Sequence, residues 1–592
     1  VEYKGKTVFE ANPHIIALLR ERGALLSEGK LTHSYPHCWR CHNPVIFRAT
    51  EQWFINLEHA GLRQRALNGV KKVRWTPGWG EERIHAMIKE RPDWCISRQR
   101  VWGVPLVIFY CDHCGSRLED FSALRNVIRW FEREGADAWF RRSPEELLPP
   151  GTRCTCGGLH WRKETDILDV WFDSGASHLA VLDPPGTPNP YLPWPADMYL
   201  EGPDQYRGWF HSSLLIALGV RDASPYRHVV THGWTLDERG QPMSKSLGNA
   251  VEPRDLCEKW GADLVRVWVA AQDYTADVRM SERVMNQLAE AYRKIRNTFR
   301  FALGNLFDFD PARNAVPDEQ LDEMDRWMLE RTAGLVRQCL GWYDNFQFHR
   351  VFHAVHDFAV VDVSAFYFDI LKDRLYTFRA RSAGRRSAQT TVYRITSALL
   401  RLVAPILVFT AEEVWRYLPR SRGHVESVHM ARFPTPEELE TGLEPPKAAN
   451  WNQLLILRDE VLKALEAARN SKLISSALEG KVVLGGELRR PPWPVPRATT
   501  TDPSTLLKDY AARLPELFIV SQVEVAGGSL PNAFRSQVFP GLEILVQRAD
   551  GSKCERCWNY SVHVGEAADF PTVCERCLPV VRELLGSEAA AS

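Results

Sequence analysis

Ten of the thirteen cysteines stand in close pairs, and thiols spaced this way constrain the chain more tightly than any other feature of its sequence. Cys554-x2-Cys557 is followed by Cys574-x2-Cys577. Two turns of this type present four thiolates to one tetrahedral Zn²⁺, and the loop between them suits a zinc ribbon. Such a closed site is structural, and it holds together a module too small to own a core. Cys111-x2-Cys114 with Cys154-x-Cys156 makes a second candidate zinc set, with a longer separation and a tighter second pair. Cys38 and Cys41 form half a site; its other ligands lie upstream of residue 1, do not exist, or are the local His37 and His42. Paired cysteines in a long chain favour metal in a reducing compartment over disulfides. Cys95, Cys257 and Cys339 stand alone and read as small packing residues.

With 592 residues the chain is too long for one ordinary core, so several domains are expected. Val101–Tyr110 (VWGVPLVIFY) reads as a buried strand, being β-branched, aromatic and nearly unbroken. The Cys-bearing stretch 111–165 is an insertion. Over 166–275, strand candidates such as His228–Trp234 interleave with helices such as Trp209–Leu218, a pattern that predicts a parallel sheet. From 281 the period changes. Val284, Leu288, Tyr292, Ile295 and Phe299 recur at three- and four-residue steps, and similar patterns fill 321–345, 348–374, 388–418 and 451–470. That region predicts a helix bundle. Arg489–Arg497 is a Pro-rich linker or loop.

Lys and Arg number 74 against 74 Asp and Glu, a balance that argues against a sequence-blind binder of nucleic acid but not against a protein that uses one face. The most apolar run, Leu402–Ala411, contains Pro405 and is too short to span a bilayer. The start, Val-Glu-Tyr-Lys, carries no export signal and reads as mid-domain sequence, so the expectation is a fragment lacking an N-terminal part.

The most informative string is Met243-Ser244-Lys245-Ser246, after Gly240-Gln241-Pro242 and before Leu247-Gly248-Asn249. A loop of small hydroxyl residues with one Lys can close over a phosphate chain, where the ammonium offsets charge that builds up during transfer. On composition alone a solvated surface loop explains it equally well.

Pro-Met-Ser-Lys-Ser resembles the Lys-Met-Ser-Lys-Ser loop of class I aminoacyl-tRNA synthetases, and it follows an apolar stretch ending in His232-Gly233. This chain has Pro242 where that family usually has a first Lys; the second, Lys245, is the one the family relies on for ATP. Arg91–Gly103 (RPDWCISRQRVWG) is similar to a segment shared by the isoleucyl, valyl and leucyl enzymes. Asp169–Gly175 (DVWFDSG) and Tyr199–Phe210 (YLEGPDQYRGWF) are most similar to the isoleucyl version, as are His37-Cys38-Trp39-Arg40, Pro44–Thr50 and Gln52-Trp53-Phe54. These matches, in order along the chain, identify it as a member of the bacterial-type isoleucyl-tRNA synthetases.

The resemblance implies a multidomain protein. The end of an editing insertion and the half zinc site would occupy 1–50. The C-terminal half of a Rossmann-like α/β nucleotide-binding domain would fill 51–280, with the insertion at 111–165 and the Met-Ser-Lys-Ser loop at 243–246. A helical anticodon-binding bundle at 281–450, a junction domain at 451–550, and a zinc ribbon and tail at 551–592 would follow. It implies that Glu201, Gly202, Asp204 and Gln205 hold the isoleucyl adenylate, Trp171 and Trp209 wall its side chain, and Met243, Ser244, Lys245 and Ser246 bind ATP, with Lys245 catalytic. A carboxylate such as Glu201 suits an ammonium or a ribose hydroxyl, and rigid indoles suit a branched aliphatic group. The implied chemistry is in-line attack of the isoleucine carboxylate on the α-phosphate of ATP, with Mg²⁺, then transfer to the terminal ribose of tRNA(Ile). The protein would be cytoplasmic, monomeric and free of membrane.

The helical region adds Lys372, Arg374, Arg379, Arg381, Arg385 and Arg386 beside Tyr376 and Phe378, a set suited to phosphates and unpaired bases, though a solvated basic face is the plainer reading. No His-x-Gly-His string occurs, and the family's proofreading residues are expected upstream, so the fragment alone is expected neither to form adenylate nor to edit. The alternatives are a valyl enzyme, or a non-catalytic tRNA-binding or zinc-scaffold protein descended from a synthetase.

Overall fold

The computed structural model describes residues 3–38, 41–182, 192–243, 248–489 and 501–589. It divides into two compact units. The first comprises Val1–Arg74, Glu81–Asp197 and Gln205–Arg227, and the second Trp75–Gly80, Met198–Asp204 and His228–Ser592.

The first unit is organised by two packed helices, Val170–Leu182 and Trp209–Arg221. The second of these is apolar nearly all round, and Phe210, Leu214, Leu215, Ala217 and Leu218 are buried, as an interior helix requires. It begins and ends close to the expected Trp209–Leu218. The crossing is tight because Gly175 has no side chain: a Cβ there would lie 2.8 Å from the backbone carbon of Ser212 and from Ile216 Cδ1. Gly175→Ala should therefore destabilise the protein by about 1–3 kcal/mol through overpacking, read as a lower denaturant midpoint. An unchanged midpoint would mean that the two helices separate without cost.

The insertion has its own small core. Phe109, Ala123, Val127, Trp139, Leu147, Leu148 and Trp161 pack with Cys111 and Cys154, and Phe109–Cys111 pairs antiparallel with Trp161–Lys163. The expected buried strand Val101–Tyr110 is not there. Val101 and Trp102 are 96% and 89% exposed, and strand pairing begins only at Phe109. Pro105 makes a lone bridge to Ile167, and its missing N–H prevents a continuous ladder. An apolar run without a period does not say which residues face inward.

In the second unit, residues 75–76, 228–231 and 198–201 form a three-stranded sheet in that order. The strand expected to reach Trp234 ends at Thr231. Thr235–Leu236 pairs in parallel with Val278–Arg279. Elsewhere before residue 281, the pairs Phe54–Ile55 with Trp94–Cys95 and Ser97–Arg98 with Ile167–Leu168 are short and antiparallel, so the sheet content is less uniformly parallel than the alternation suggests.

The helical periodicity after 281 is realised as Glu282–Asn305, Glu323–Asp344, Phe348–Asp357, Ala383–Val403, Val408–Tyr417 and Pro445–Asn470. Phe348–Asp357 continues through a wider π-turn, Phe358–Phe368, into Asp369–Thr377. The break between Val403 and Val408 contains Pro405, which cannot donate to the helix ladder. One large core runs through these helices and into a four-stranded sheet. Its order is Gln522–Val525, Gly480–Gly485, Glu543–Arg548, Phe534–Arg535, and Leu484 is paired with both Val525 and Ile544. Among the described residues no helix is long and apolar enough to cross a membrane.

Candidate functional site

The first unit brings Trp171, Gln205 and Trp209 together. Gly208 lies between them: a Cβ on it would sit 2.6 Å from Trp171 Cη2 and 2.7 Å from Gln205 Oε1. Gln205 Oε1 accepts a hydrogen bond from the Trp209 backbone N–H at 3.0 Å, capping the start of its helix. The Trp209 indole donates to the Ser174 carbonyl and to Ser177 Oγ, each at 3.1 Å, which fixes the ring plane. Trp171 is 39% exposed, so one large apolar face is open.

Four ionisable groups on or next to the same two helices are buried or half-buried, and sequence reasoning did not single them out. Asp169 accepts from the Trp94 indole at 3.0 Å and pairs with Arg98 at 3.2 Å. Burial, and then the Asp169 charge, raise the Asp173 carboxyl to about 6. Burial lowers His178 to about 4 and His211 to about 3, so both imidazoles are neutral at pH 7. Asp169 and Asp173 lie inside the Asp169–Gly175 string, whereas His178 and His211 fall just beyond the two strings and carry no signal but that proximity.

The Asp173 shift has a thermodynamic sign. The native carboxyl binds its proton more tightly than the unfolded one, whose value is 3.8, so stability falls as pH rises from about 4 through about 6. Asp173→Asn should raise the unfolding midpoint at pH 7 and leave it nearly unchanged at pH 4. Equal shifts at both pH values would contradict this account.

In the second unit, Glu201 ends its strand exposed, and its carbonyl accepts from the His232 N–H at 3.1 Å. Gly202 is buried, and a Cβ there would meet Asp204 Oδ1 at 2.9 Å and His232 Cε1 at 3.5 Å, so Glu201, Gly202, Asp204 and His232 form one cluster. Gly233 is required by the backbone: its Cβ would fall 2.2 Å from the Ala276 carbonyl oxygen. Met243 donates its N–H to the Thr235 carbonyl at 3.0 Å and packs on the large core. Ser244, Lys245 and Ser246 lie outside the described residues. On either side of them, Asn249 donates to Asp237 Oδ2 at 3.1 Å, and Asp237 also accepts from the Arg239 and Gln241 N–H groups.

Both complete cysteine sets close. The four sulfur atoms of Cys111, Cys114, Cys154 and Cys156 lie within 4.8 Å of one another, as do those of Cys554, Cys557, Cys574 and Cys577. Cys111–Cys156, Cys114–Cys154 and Cys557–Cys574 are 3.6, 3.5 and 3.6 Å apart. Tetrahedral thiolates around zinc are separated by about 3.8 Å, whereas a disulfide would need about 2 Å, so both sets fit structural Zn²⁺. Cys38 is half-buried and Cys41 exposed, and among the described residues no third ligand completes a cluster with them; Trp39 and Arg40 between them are not described.

The basic run of the bundle is not one nucleic-acid face. Arg374 is fully buried and donates to both Asp325 oxygens at 2.9 and 2.8 Å. Arg385 is buried on Asp308 at 2.6 and 2.9 Å, and Arg386 shares that carboxylate. Arg379 pairs with Glu583 and Lys372 with Asp369, while Arg381 and Tyr376 are exposed. The plainer reading understated the case: several of these charges are structural.

Residues 1–281 match the family described as tRNA synthetases class I (I, L, M and V). Residues 325–484 match the anticodon-binding domain of tRNA ligase, and residues 551–580 the zinc finger found in FPG and IleRS. An isoleucine–tRNA ligase of Syntrophotalea carbinolica is 49% identical over 585 residues, 98% of this chain and 60% of the relative. One from Moorella thermoacetica is 48% identical over 589 residues, 98% of this chain and 61% of the relative. The chain thus spans about 60% of the length of the curated relatives it matches. A solved Mycobacterium tuberculosis methionyl-tRNA synthetase bound by methionyl-adenylate overlaps 68% of this chain and 70% of that one, at 18% identity and a TM-score of 0.47, too low to bear on the site.

Proposed function

The chain belongs to the class I tRNA synthetases, among the isoleucine–tRNA ligases, and from that premise we propose that the whole protein activates L-isoleucine with ATP and transfers it to tRNA(Ile). The observation that carries the reading is the pair of indoles, one of them fixed. Trp209 is held by two hydrogen bonds and Trp171 presents an open face, which suits a branched aliphatic side chain and gives nothing to a polar one. Gln205 shapes the start of the Trp209 helix. In this reading Glu201, with Gly202 and Asp204, receives the ammonium or ribose of the adenylate, and buried Gly202 leaves space for close approach of the ligand backbone. Lys245 serves as the catalytic cation in an ATP-binding loop of Met243, Ser244, Lys245 and Ser246, whose flanks are tied by Asp237 and Asn249. Mg²⁺ carried with ATP would neutralise charge on the departing pyrophosphate. The zinc sites take no part in the reaction.

The same reading places the second half of the nucleotide-binding domain at 51–280, the anticodon-binding bundle at 281–450, the junction at 451–550 and the ribbon at 551–592. It also has the protein acting in the cytoplasm as a monomer.

The test is ATP–pyrophosphate exchange by the chain completed to the length of its relatives, with isoleucine, valine and leucine compared. Isoleucine should be preferred to valine by roughly 10- to 200-fold in kcat/KM, the worth of one methylene. Trp209→Ala should remove about 1–3 kcal/mol of transition-state binding for isoleucine, roughly 5- to 160-fold in kcat/KM. Faster exchange with valine or leucine than with isoleucine would sink the proposal.

A further inference from the structure

Trp209 is pinned at its backbone before its ring is considered. Gln205 Oε1 accepts from its N–H, and Ser212 Oγ donates to its carbonyl at 3.4 Å. The freedom left to it is the swing of the indole about its side-chain bonds. An indole has a single N–H and no acceptor, so one partner would leave the ring free to pivot about that bond. Here the N–H is shared between two oxygens of the neighbouring helix, the Ser174 carbonyl and Ser177 Oγ. Those two residues stand three apart on one helix face, and Ser177 Oγ also donates to the Ser174 carbonyl at 2.7 Å. The three atoms close a triangle of 2.7, 3.1 and 3.1 Å. Its polarity is set, because the Ser177 hydroxyl gives its one proton to the carbonyl and meets the indole with a lone pair.

Two acceptors fix a direction where one fixes only a point. The helix that carries them is itself held, since Gly175 packs directly on Ser212 and Ile216 of the Trp209 helix. In the proposed reaction the ring held in this way walls the isoleucine side chain. Isoleucine exceeds valine by one methylene, and a wall registers that methylene only while it stays in contact with it. A gap of about 0.5–1 Å forfeits roughly a quarter to a half of the attraction between two atoms. Binding of the whole amino acid draws on many contacts and tolerates such a shift. Discrimination draws on this contact and does not.

We infer that Ser177 is a positioning residue that sets selectivity for isoleucine over valine, acting through the Trp209 ring and not on the reacting atoms. The inference rests on the reading of Trp171 and Trp209 as the amino-acid pocket.

Threonine and valine at position 177 have nearly the same shape and differ in the hydroxyl, and a helical Thr Oγ1 can make the same bond back to a carbonyl one turn earlier. The measurement is ATP–pyrophosphate exchange by the chain completed to the length of its relatives, with isoleucine and valine compared in each variant. Ser177→Val should lower the isoleucine-to-valine ratio of kcat/KM roughly fivefold, the contribution of one hydrogen bond, chiefly through loss with isoleucine. Ser177→Ala, which removes the hydroxyl without adding bulk, should lower the ratio by a similar factor and decides the matter if the valine variant does not fold. Ser177→Thr should hold the wild-type ratio. A role in packing alone would slow both amino acids alike and lower the melting temperature, and an unchanged ratio in Ser177→Val and Ser177→Ala would overturn the inference. A fall of the same size in Ser177→Thr and Ser177→Val would trace to bulk and overturn the role of the hydroxyl. Failure of the underlying reading shows elsewhere: the wild-type completed chain would then have no preference for isoleucine to lose, and the inference would fall with it.

Discussion

Stripping the metal from the Cys554–Cys577 module should unfold residues 552–582 and uncover the polar edge of the helix Asp369–Thr377 on which they dock, while the helix itself and the bundle core stay intact. The module owns little else. Its strands, Ser552–Lys553 and Tyr560–Ser561, are two residues each, and its buried cluster is Val573 with three of the cysteines. In a domain of this size the ion supplies the folding free energy, on the order of 10–16 kcal/mol of apparent zinc binding. The same knuckles make the docking contacts. Arg556, inside the first Cys pair, donates to the Thr377 carbonyl at 2.5 Å, and Arg576, inside the second, forks onto Asp373 at 2.6 and 2.8 Å. Both arginines are aimed by turns that exist only while the thiolates converge. Hydrogen exchange before and after chelation is the measurement: amides of 552–582 should lose protection, and those of Ala383–Val403 should keep it. Asp373→Ala provides the converse, with the docking loosened and the ribbon still protected. Retained protection in the module after metal analysis shows no zinc would refute the argument.

The parts legible in the sequence are those specified by short-range chemistry. A Cys-x2-Cys pair is a local turn whose partner must be a second pair, so both four-thiolate clusters were readable from spacing. The helices after 281 were readable because their apolar faces repeat at helical steps over many turns, but the pattern read as one stretch over 388–418 is two helices, Ala383–Val403 and Val408–Tyr417, with Pro405 in the break. Val101–Tyr110 was misread because burial in a strand depends on partners, and Gly103 and Pro105 deny it a ladder. The basic run was harder still. Arg374 and Arg385 look like a surface cluster until Asp325 and Asp308, 49 and 77 residues away, fold onto them. The indoles were found through motif strings, yet what orients them came from residues with no chemical signal of their own: Ser174, Ser177 and Gly208. The reading of Ser244, Lys245 and Ser246 as a phosphate loop rests on the sequence alone.

Asp325→Ala should be among the most damaging single substitutions in the bundle, costing about 3–5 kcal/mol. Asp325 is wholly buried and receives four hydrogen bonds: two from Arg374, one from the Tyr367 hydroxyl at 2.7 Å and one from Ser387 Oγ at 2.5 Å. Its removal leaves the buried Arg374 guanidinium with Glu516 alone, whose carboxylate lies 3.0 Å from Nε, and strands two hydroxyls away from water. The damage comes from the uncompensated charge and not from the lost attraction, because a buried ion pair gains little over an apolar pair of the same shape. The two accounts differ in a double variant. If the orphaned charge is the cause, Asp325→Leu/Arg374→Met should recover much of the stability lost in Asp325→Ala, since nothing buried remains ionised there except Glu516, which can take up a proton. If the attraction itself were the stabilising term, the double variant would be at least as unstable as the single one. Denaturant unfolding of the three proteins, compared at a common slope, separates the cases. Because Glu516 lies beyond the bundle's last long helix, the same substitution should also loosen residues 514–518, visible as faster amide exchange there.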